Sequence, residues 1–411
     1  MPHLKTVIYL VILFFAVKSA QFVIVILGPA QFDVSSSILL ESYLTEKIAL
    51  STFGTRSEPL NHALGKSVSL ILDRFLDRLV TWDAVYFADL FSRGILYEHQ
   101  FVFCPLWWRL IHVIPVNPET GFYSRLIWAT VLANLSHLAA AIVLYFYTLT
   151  VFKRARIFSS ERMATLALML YVCSPAAAFL TAPYSESIAA LCSLLCLFAR
   201  DVTCIYLASG ALAALAFGFR ANCLLLGLVY VYDIVYKKTQ TPFLPLAAGL
   251  ILGAAFLAAQ IHSYVLVCPS GRGAWCEARI PSLFAYAQSH YWGNGLFRYW
   301  TWNNVPNFVF AAPTVFLLAL AVRYFAQIYP VERTLPVLAV NCVFLCLVML
   351  FGHVQIITRI HTFLPVVYWV VAGLLTQPDP RGQKWAYKWV AYFVVWNVLQ
   401  TALFSAFLPP A

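Results

Sequence analysis

The chain has 411 residues, of which 62% are hydrophobic, 16% aromatic and only 11% charged. Soluble proteins carry roughly 25% charged residues, so a water-soluble globular class is excluded. The formal net charge of +10 does not signal nucleic acid, because the basic residues cluster between apolar runs, where membrane topology puts them. Apolar runs of about 20 residues recur along nearly the whole length, each long enough to cross a hydrocarbon core of about 30 Å, and they lack the two-residue alternation of barrel strands. This composition predicts an all-α polytopic membrane protein, with one integral membrane domain over residues 1–411.

The first apolar run, Thr6 to Leu27, is too long for a signal peptide and runs into Gly28-Pro29-Ala30-Gln31, which is not a clean cleavage site. It reads as a retained first span, with Lys18 sitting awkwardly inside it. Further spans are predicted near 122–151, 163–180, 186–199, 203–218, 221–236, 243–266, 306–325, 334–352, 361–375 and 389–408, about eleven in all. With the N-terminus in the cytosol, the short cytosolic loops hold Lys153, Arg154, Arg156, Arg162, Arg200, Lys237, Lys238, Arg323, Arg333, Arg381, Lys384 and Lys388. The short loops opposite hold only Arg220 and Arg359, an asymmetry that sets the orientation. Two long loops, 29–121 and 267–305, then face the lumen. In the first, residues 66–80 place apolar side chains at helical spacing opposite Asp73, Arg74, Asp77 and Arg78, the pattern of a helix lying in the interface plane. The short pairs 163–180/186–199 and 203–218/221–236 are predicted to line a cavity, since irregular backbone at membrane depth survives only where protein or water satisfies it. Most of the ten cysteines lie singly in apolar runs, as small buried hydrophobes do; Cys268 and Cys276 flank a polar loop, and pairing them needs an oxidising lumen.

Candidate chemistry gathers in the loops. In Trp82-Asp83-Ala84-Val85-Tyr86-Phe87, a partly buried Asp83 carboxylate suits a general base, or else a helix N-cap; the two roles can coexist. Glu98-His99-Gln100, bracketed by Tyr97 and Phe101, suits proton transfer or sugar hydroxyls, against the alternative of a solvated turn. Glu186, in Thr181-Ala182-Pro183-Tyr184-Ser185-Glu186-Ser187, is either a helix-start carboxylate or a functional ionisable group near the membrane. Arg220 with Asn222, and Arg359 after His353-Val354-Gln355, break the charge rule on one face; their planar forks suit a phosphate, unless they merely snorkel to lipid. The stretch from Ser289 to Trp300, including Trp292, mixes aromatics and amides as sugar sites and interfacial belts both do. A glycine-rich phosphate loop, a DxD motif and metal-ligand spacing are all absent, so neither a soluble nucleotide donor nor a metal is expected.

Taken together, these blocks resemble the GPI mannosyltransferase 2 family. Trp82-Asp83 with Tyr86-Phe87, Tyr97 to Phe101 and Pro105-Leu106 is similar to the family's first lumenal loop. Ser174-Pro175-Ala176, Phe179, Thr181-Ala182 and Tyr184 to Ser187 resemble a second block, Phe219 to Asn222 a third, and His353-Val354-Gln355 with Thr358-Arg359 the last. Gln288, Tyr291-Trp292 and Arg298-Tyr299 fit the loop between; Pro183 and Ala221 depart from the family pattern without removing a chemical group. The resemblance implies a glycosyltransferase of the GT-C fold in the endoplasmic reticulum membrane, its active site facing the lumen. It implies dolichyl phosphate mannose as donor, the GPI precursor as acceptor and an inverting transfer that makes an α1,6 linkage, with no cofactor and no metal. A small membrane partner subunit is implied by the family's fungal members, alongside membrane lipids. On this resemblance Asp83 is the catalytic base, Arg220 and Arg359 meet the donor phosphate, and Glu98 and His99 orient the acceptor. Trp82, Gln100, Tyr184, Glu186, Asn222, Trp292, His353 and Gln355 complete the expected substrate-binding set. The rivals are another dolichyl-phosphate-sugar transferase, building N-glycan precursors or modifying protein hydroxyls, and a transporter, which calls for ionisable groups near the midplane and two related halves.

Overall fold

The lysine buried in the first apolar run finds its partners inside the protein. In the computed structural model α1 (Pro2–Leu27) is continuous through Lys18, whose Nζ donates to the Leu180 carbonyl at 3.0 Å and to Thr181 Oγ1 at 2.7 Å. One turn on, Gln21 donates to Asn397 Oδ1 at 3.0 Å and accepts from Thr181 Oγ1 at 2.6 Å. A cation is tolerated inside this apolar run because it meets a backbone carbonyl and a side-chain hydroxyl of the protein. The structure describes residues 2–45, 71–72, 74–103, 105–155, 157–238, 241–271, 273–377 and 379–409. Residues 66–70 of the expected interfacial helix, together with Asp73 and Arg156, lie outside these; residues 74–79 are helical, as expected.

The described residues form helices and connecting turns, without strands. After α1 come α2 (Ser35–Glu41), α3 (Asp83–Arg93) and α4 (Pro105–His112) in the first long loop, then the long α5 (Gly121–Phe152). Next are α6 (Ser160–Val172), α7 (Glu186–Phe198), α8 (Tyr206–Phe219), α9 (Gly227–Val235) and α10 (Phe243–Val267). The second long loop carries α11 (Leu283–His290); α12 (Val305–Arg323), α13 (Leu335–Phe351), α14 (Ile357–Ile360), α15 (Val366–Thr376) and α16 (Pro380–Ser405) complete the chain. The packing is close: a Cβ on Gly210 of α8 would lie 2.7 Å from the Ala248 Cα of α10, so only glycine lets these two backbones meet.

Among the described residues, five helices are long and apolar enough to cross a membrane (Leu4–Leu27, Pro118–Phe152, Phe243–Val267, Trp302–Ile328 and Glu332–Phe351), with a sixth if the bent pair Val354–Phe363 and Val366–Thr376, at 79°, is one span. About eleven were expected. The difference lies mostly in the short segments: at 1.5 Å per residue, a 13-residue helix such as α6 or α7 covers about 20 Å of a core of about 30 Å, whereas the 26-residue α16 is long enough but not among the apolar spans. The expected span 163–180 also breaks, at Cys173, because Pro175 cannot continue a helix.

The broken segment 173–185 is buried, and side chains from surrounding elements satisfy its backbone. Asn397 donates to the Ser174 carbonyl at 2.9 Å, Asn134 to Thr181 at 2.9 Å and Trp107 to Pro183 at 3.1 Å, while Gln400 Oε1 accepts from the Ala178 amide at 2.9 Å. Irregular backbone thus sits at membrane depth with its hydrogen-bonding groups paired.

Arg200 is internally paired: its side chain is 4% exposed and grips Asp233 with Nε at 2.7 Å and Nη2 at 2.6 Å, while Nη1 meets Asp201. Tyr206 and Tyr147 donate to Asp233 and Asp201 at 3.0 and 2.6 Å. Asp233→Ala strands the guanidinium with Asp201 alone and is expected to cost about 3 kcal/mol, the usual penalty for breaking a buried pair. Thermal unfolding of the purified chain in detergent checks this; an unchanged midpoint would show that the pair contributes nothing.

Candidate active site

Three breaks in helical structure bring charged side chains to one place. The first is the entry to α3. Trp82 has φ +53° and ψ −127°, a conformation that side-chain-bearing residues rarely adopt, and its ring packs on Phe407 with centroids 5.0 Å apart. Strain of this kind persists where the surroundings hold it, and it collects at functional sites. Here it turns the chain so that α3 begins at Asp83. The Tyr184 hydroxyl donates to the Thr81 carbonyl at 2.8 Å, fixing this entry against the buried segment 173–185.

The second break is the start of α7 at Glu186, paired with the end of α8 at Arg220. The third is the kinked segment Val354–Phe363, which carries Arg359 on the single turn α14. Asp83 Oδ2 lies 2.8 Å from Arg359 Nη2, Glu186 Oε1 lies 2.8 Å from Arg220 Nη2, and Arg359 Nε is 3.9 Å from the same Glu186 oxygen. The result is a continuous quartet, Asp83–Arg359–Glu186–Arg220, with two charges of each sign. Asp83 is its most exposed member, with 22% of its side chain open, and Glu186 is sealed at 1%. The Arg359 guanidinium lies over the rings of Phe179 and Tyr184, 5.1 and 5.8 Å from their centroids. Arg359 Nη1 is buried and without a hydrogen-bond partner, so one donor edge of the fork is unspent.

The quartet opens into a cavity of about 410 Å³ lined by Trp82, Asp83, Arg220, Asn222, Trp292, His353, Gln355 and Arg359, together with Gln288, Asn294, Val102 and Phe103. Eight of the expected residues therefore share one space. Asn222 Nδ2 reaches the Ile360 carbonyl at 3.5 Å, tying the turn after α8 to α14. His353 donates from Nε2 to the Trp292 carbonyl at 2.7 Å and stacks on Tyr299 at 4.5 Å, which fixes the indole at the cavity wall. Three wall residues carry buried polar atoms without a hydrogen-bond partner: Trp292 Nε1, Asn294 Oδ1 and Gln355 Oε1. Aromatic faces and unspent amides are what sugar hydroxyls and pyranose faces require.

The other expected residues lie outside the cavity wall. Glu98 clasps the two long loops together, accepting from Trp275 Nε1 at 2.6 Å and from the Tyr291 hydroxyl at 2.9 Å. His99 sits among the rings of Tyr86, Tyr97 and Tyr291, and burial pushes its imidazole below the ordinary range. Gln100 is buried, its Oε1 accepting from the Leu96 and Tyr97 amides and its Nε2 donating to Asp89. These three shape the loop that carries Val102 and Phe103 to the cavity. Tyr184 and Glu186 act from behind, as support for Thr81 and partner to both arginines. Gln288 and Asn294 also line the cavity, though sequence reasoning gave neither a binding role; Gln288 was visible only through the family resemblance, and Asn294 through the mixture of amides and aromatics between Ser289 and Trp300.

A second, apolar cleft of about 110 Å³ joins this cavity, sharing Phe103, Ala221 and Phe284 with it and running between Ile95, Phe217, Leu224 and Phe256. The polar and apolar compartments together accommodate an amphiphile. Nearby, Cys268 and Cys276 form a disulfide, with Cα atoms 5.6 Å apart, in the loop that also supplies Trp275 to Glu98.

The chain is similar to known proteins over nearly its whole length. GPI mannosyltransferase 2 of Candida albicans is 34% identical over 97% of this chain and 98% of its own length. The Yarrowia lipolytica enzyme of that name is 32% identical over the whole of both chains, and that of Saccharomyces cerevisiae 30% over 98% of this chain and all of its own. No solved structure matches. The family model described as Mannosyltransferase (PIG-V) covers residues 7–334 and 329–411, and the chain belongs to that mannosyltransferase family.

Proposed function

We propose that this chain transfers the second mannose, in α1,6 linkage, from dolichyl phosphate mannose to the one-mannose GPI precursor on the lumenal side of the endoplasmic reticulum membrane. The observation that carries the reading is the pairing of Asp83 with Arg359 at the wall of a polar cavity that adjoins an apolar cleft. A sugar and its phosphate suit the first compartment and a polyprenyl chain the second. The lumenal orientation is supported by the Cys268–Cys276 disulfide, which needs an oxidising compartment and lies in the loop clasped by Glu98. The gathering of lysine and arginine in the loops of the opposite face supports it too.

The donor carries a β-linked sugar and the product is α, so one in-line displacement with one base suffices, as in inverting glycosidases. The 6-hydroxyl of the acceptor mannose attacks the anomeric carbon and gives its proton to a carboxylate oxygen of Asp83. The bond from that carbon to the phosphate oxygen breaks, and its electron pair leaves on dolichyl phosphate. Asp83 and Arg359 are coupled through this step. While ionised, Asp83 holds Arg359 at 2.8 Å; once it takes the proton, the guanidinium loses that counter-charge. Arg359, with Nη1 already unspent, is then freer to stabilise the phosphate as its charge grows, with Arg220 beside it. Glu186 keeps both arginines in place.

Two outcomes follow. Asp83→Asn is expected to express and fold yet lose about a thousandfold in transfer, within the range that a positioned base supplies. The assay supplies purified protein with dolichyl phosphate mannose and one-mannose precursor and scores the two-mannose product, its linkage read with an α1,6-specific mannosidase; near-normal turnover would remove Asp83 as base. Arg220→Met is expected to raise KM for the donor by about tenfold, as loss of one charge-assisted contact does, with little change for the acceptor. Equal loss for both substrates would make Arg220 a purely structural partner of Glu186.

A further inference from the structure

The lumenal rim has a second polar crevice, separate from the catalytic cavity. It is about 430 Å³ in volume and lies between the C-terminal end of α3 and the N-terminal end of α5, with Tyr43, Ser92, Arg93, Gly121, Phe122 and Arg125 in its wall. The catalytic cavity and its apolar cleft share none of these residues.

Its charge is the informative feature. Arg93 is largely answered: it lies 3.6 Å from Asp89 and donates to Tyr43 at 3.1 Å and to Ser42 at 3.3 Å. Arg125 is not. Its Nε is buried without a hydrogen-bond partner, and among the described residues it enters no ion pair. It also stands in the second turn of the 32-residue α5, near the positive end of the helix dipole, where a cation is disfavoured and an anion favoured. The Ser92 hydroxyl, also in the crevice wall, is buried and unpartnered. Two arginine forks, a free hydroxyl and a helix N-terminus make up a donor set for a tetrahedral anion. The position narrows the source. The crevice opens at the start of a helix long and apolar enough to cross a membrane, the end of a span where lipid headgroups lie, and Tyr43 stacked on Phe122 at 4.0 Å gives it an apolar flank for an acyl or glycerol segment.

We propose that this crevice binds the phosphodiester of an anionic membrane phospholipid, gripped by Arg125 with Arg93 and Ser92. One consequence concerns the catalytic helix. Arg93 and Asp83 stand at opposite ends of α3, about 15 Å apart at 1.5 Å per residue, so a lipid held at one end fixes the depth of the carboxylate at the other.

The test is native mass spectrometry of the full-length chain in detergent, titrated with phosphatidylglycerol, phosphatidylcholine or inorganic phosphate. One phosphatidylglycerol is expected to bind more tightly than phosphatidylcholine, to resist millimolar inorganic phosphate, and to lose about tenfold in affinity in Arg125→Gln, the effect of one charge-assisted contact. Unchanged affinity in Arg125→Gln overturns the proposal, as does displacement by free phosphate, which would mark a site for the soluble ion. Should Arg125→Gln fail to fold, photo-crosslinking of the unaltered chain by a phosphatidylglycerol with a headgroup diazirine decides the matter. Label on the peptides bearing Ser92–Arg93 or Gly121–Arg125 supports the site, and label confined to other peptides overturns it.

Discussion

The contact between Asp83 and Arg359 is the constraint on which the rest of the site depends. Neither group is stable alone where it lies. A guanidinium 8% exposed, or a carboxylate at a membrane-embedded rim, carries a desolvation cost that only an opposite charge and good geometry offset. Because Arg359 also approaches Glu186, and Glu186 meets Arg220, the cost is shared over four groups that sum to neutrality. Removing any one leaves an uncompensated charge. The quartet thus sets the relative position of α3, the start of α7, the end of α8 and the kinked α14, which are distant in sequence.

Those positions are available because regular helix fails at each of them. Trp82 is held at positive φ, Pro175 and Pro183 break the segment before α7, and the backbone turns by 79° between Val354–Phe363 and Val366–Thr376. Breaks at membrane depth expose peptide groups, and the surrounding helices answer them with Lys18, Asn134, Asn397, Gln400 and Trp107. Polar residues in otherwise apolar helices therefore serve the site indirectly: they make it possible for the chain to stop being helical where the chemistry needs side chains from several directions.

Much of this was legible in the sequence, and the boundary of legibility has a physical cause. The helices followed from apolar runs, and their ends agree with the predicted limits to within a few residues wherever a run exceeds about 20 residues. Arg220 and Arg359 stood out because they broke the charge rule, and Asp83 because a carboxylate sat among aromatics at a helix start. What local pattern cannot carry is pairing. Nothing near Arg359 identifies Asp83 as its partner, so both arginines were read as free cations awaiting a phosphate. The pairing of Arg200 was invisible for the same reason, since its partner Asp233 lies on another helix. Glu98 and Gln100 show the converse. A dense polar cluster looks like a site from the sequence, while in the structure these two side chains meet Trp275, Tyr291, Asp89 and backbone amides outside the cavity wall.

Neutrality of the quartet also bears on how a phosphate-bearing donor would be handled. Two unpaired arginines would bind dolichyl phosphate tightly before and after transfer, and equal stabilisation of ground state, transition state and product does not accelerate the chemical step. Arginines already matched by carboxylates hold back part of that attraction until a proton reaches Asp83, the most exposed member of the network and the one on the cavity wall. In the proposed reaction that proton arrives as the bond to phosphate breaks, so the electrostatic stabilisation rises when negative charge appears on the leaving oxygen. Glu186, sealed at 1% exposure, has no such access to the acceptor, and its charge stays fixed while that of Asp83 changes. In that proposed reaction, the asymmetry in burial between the two carboxylates divides their roles: one holds the arginines, and the other releases one of them.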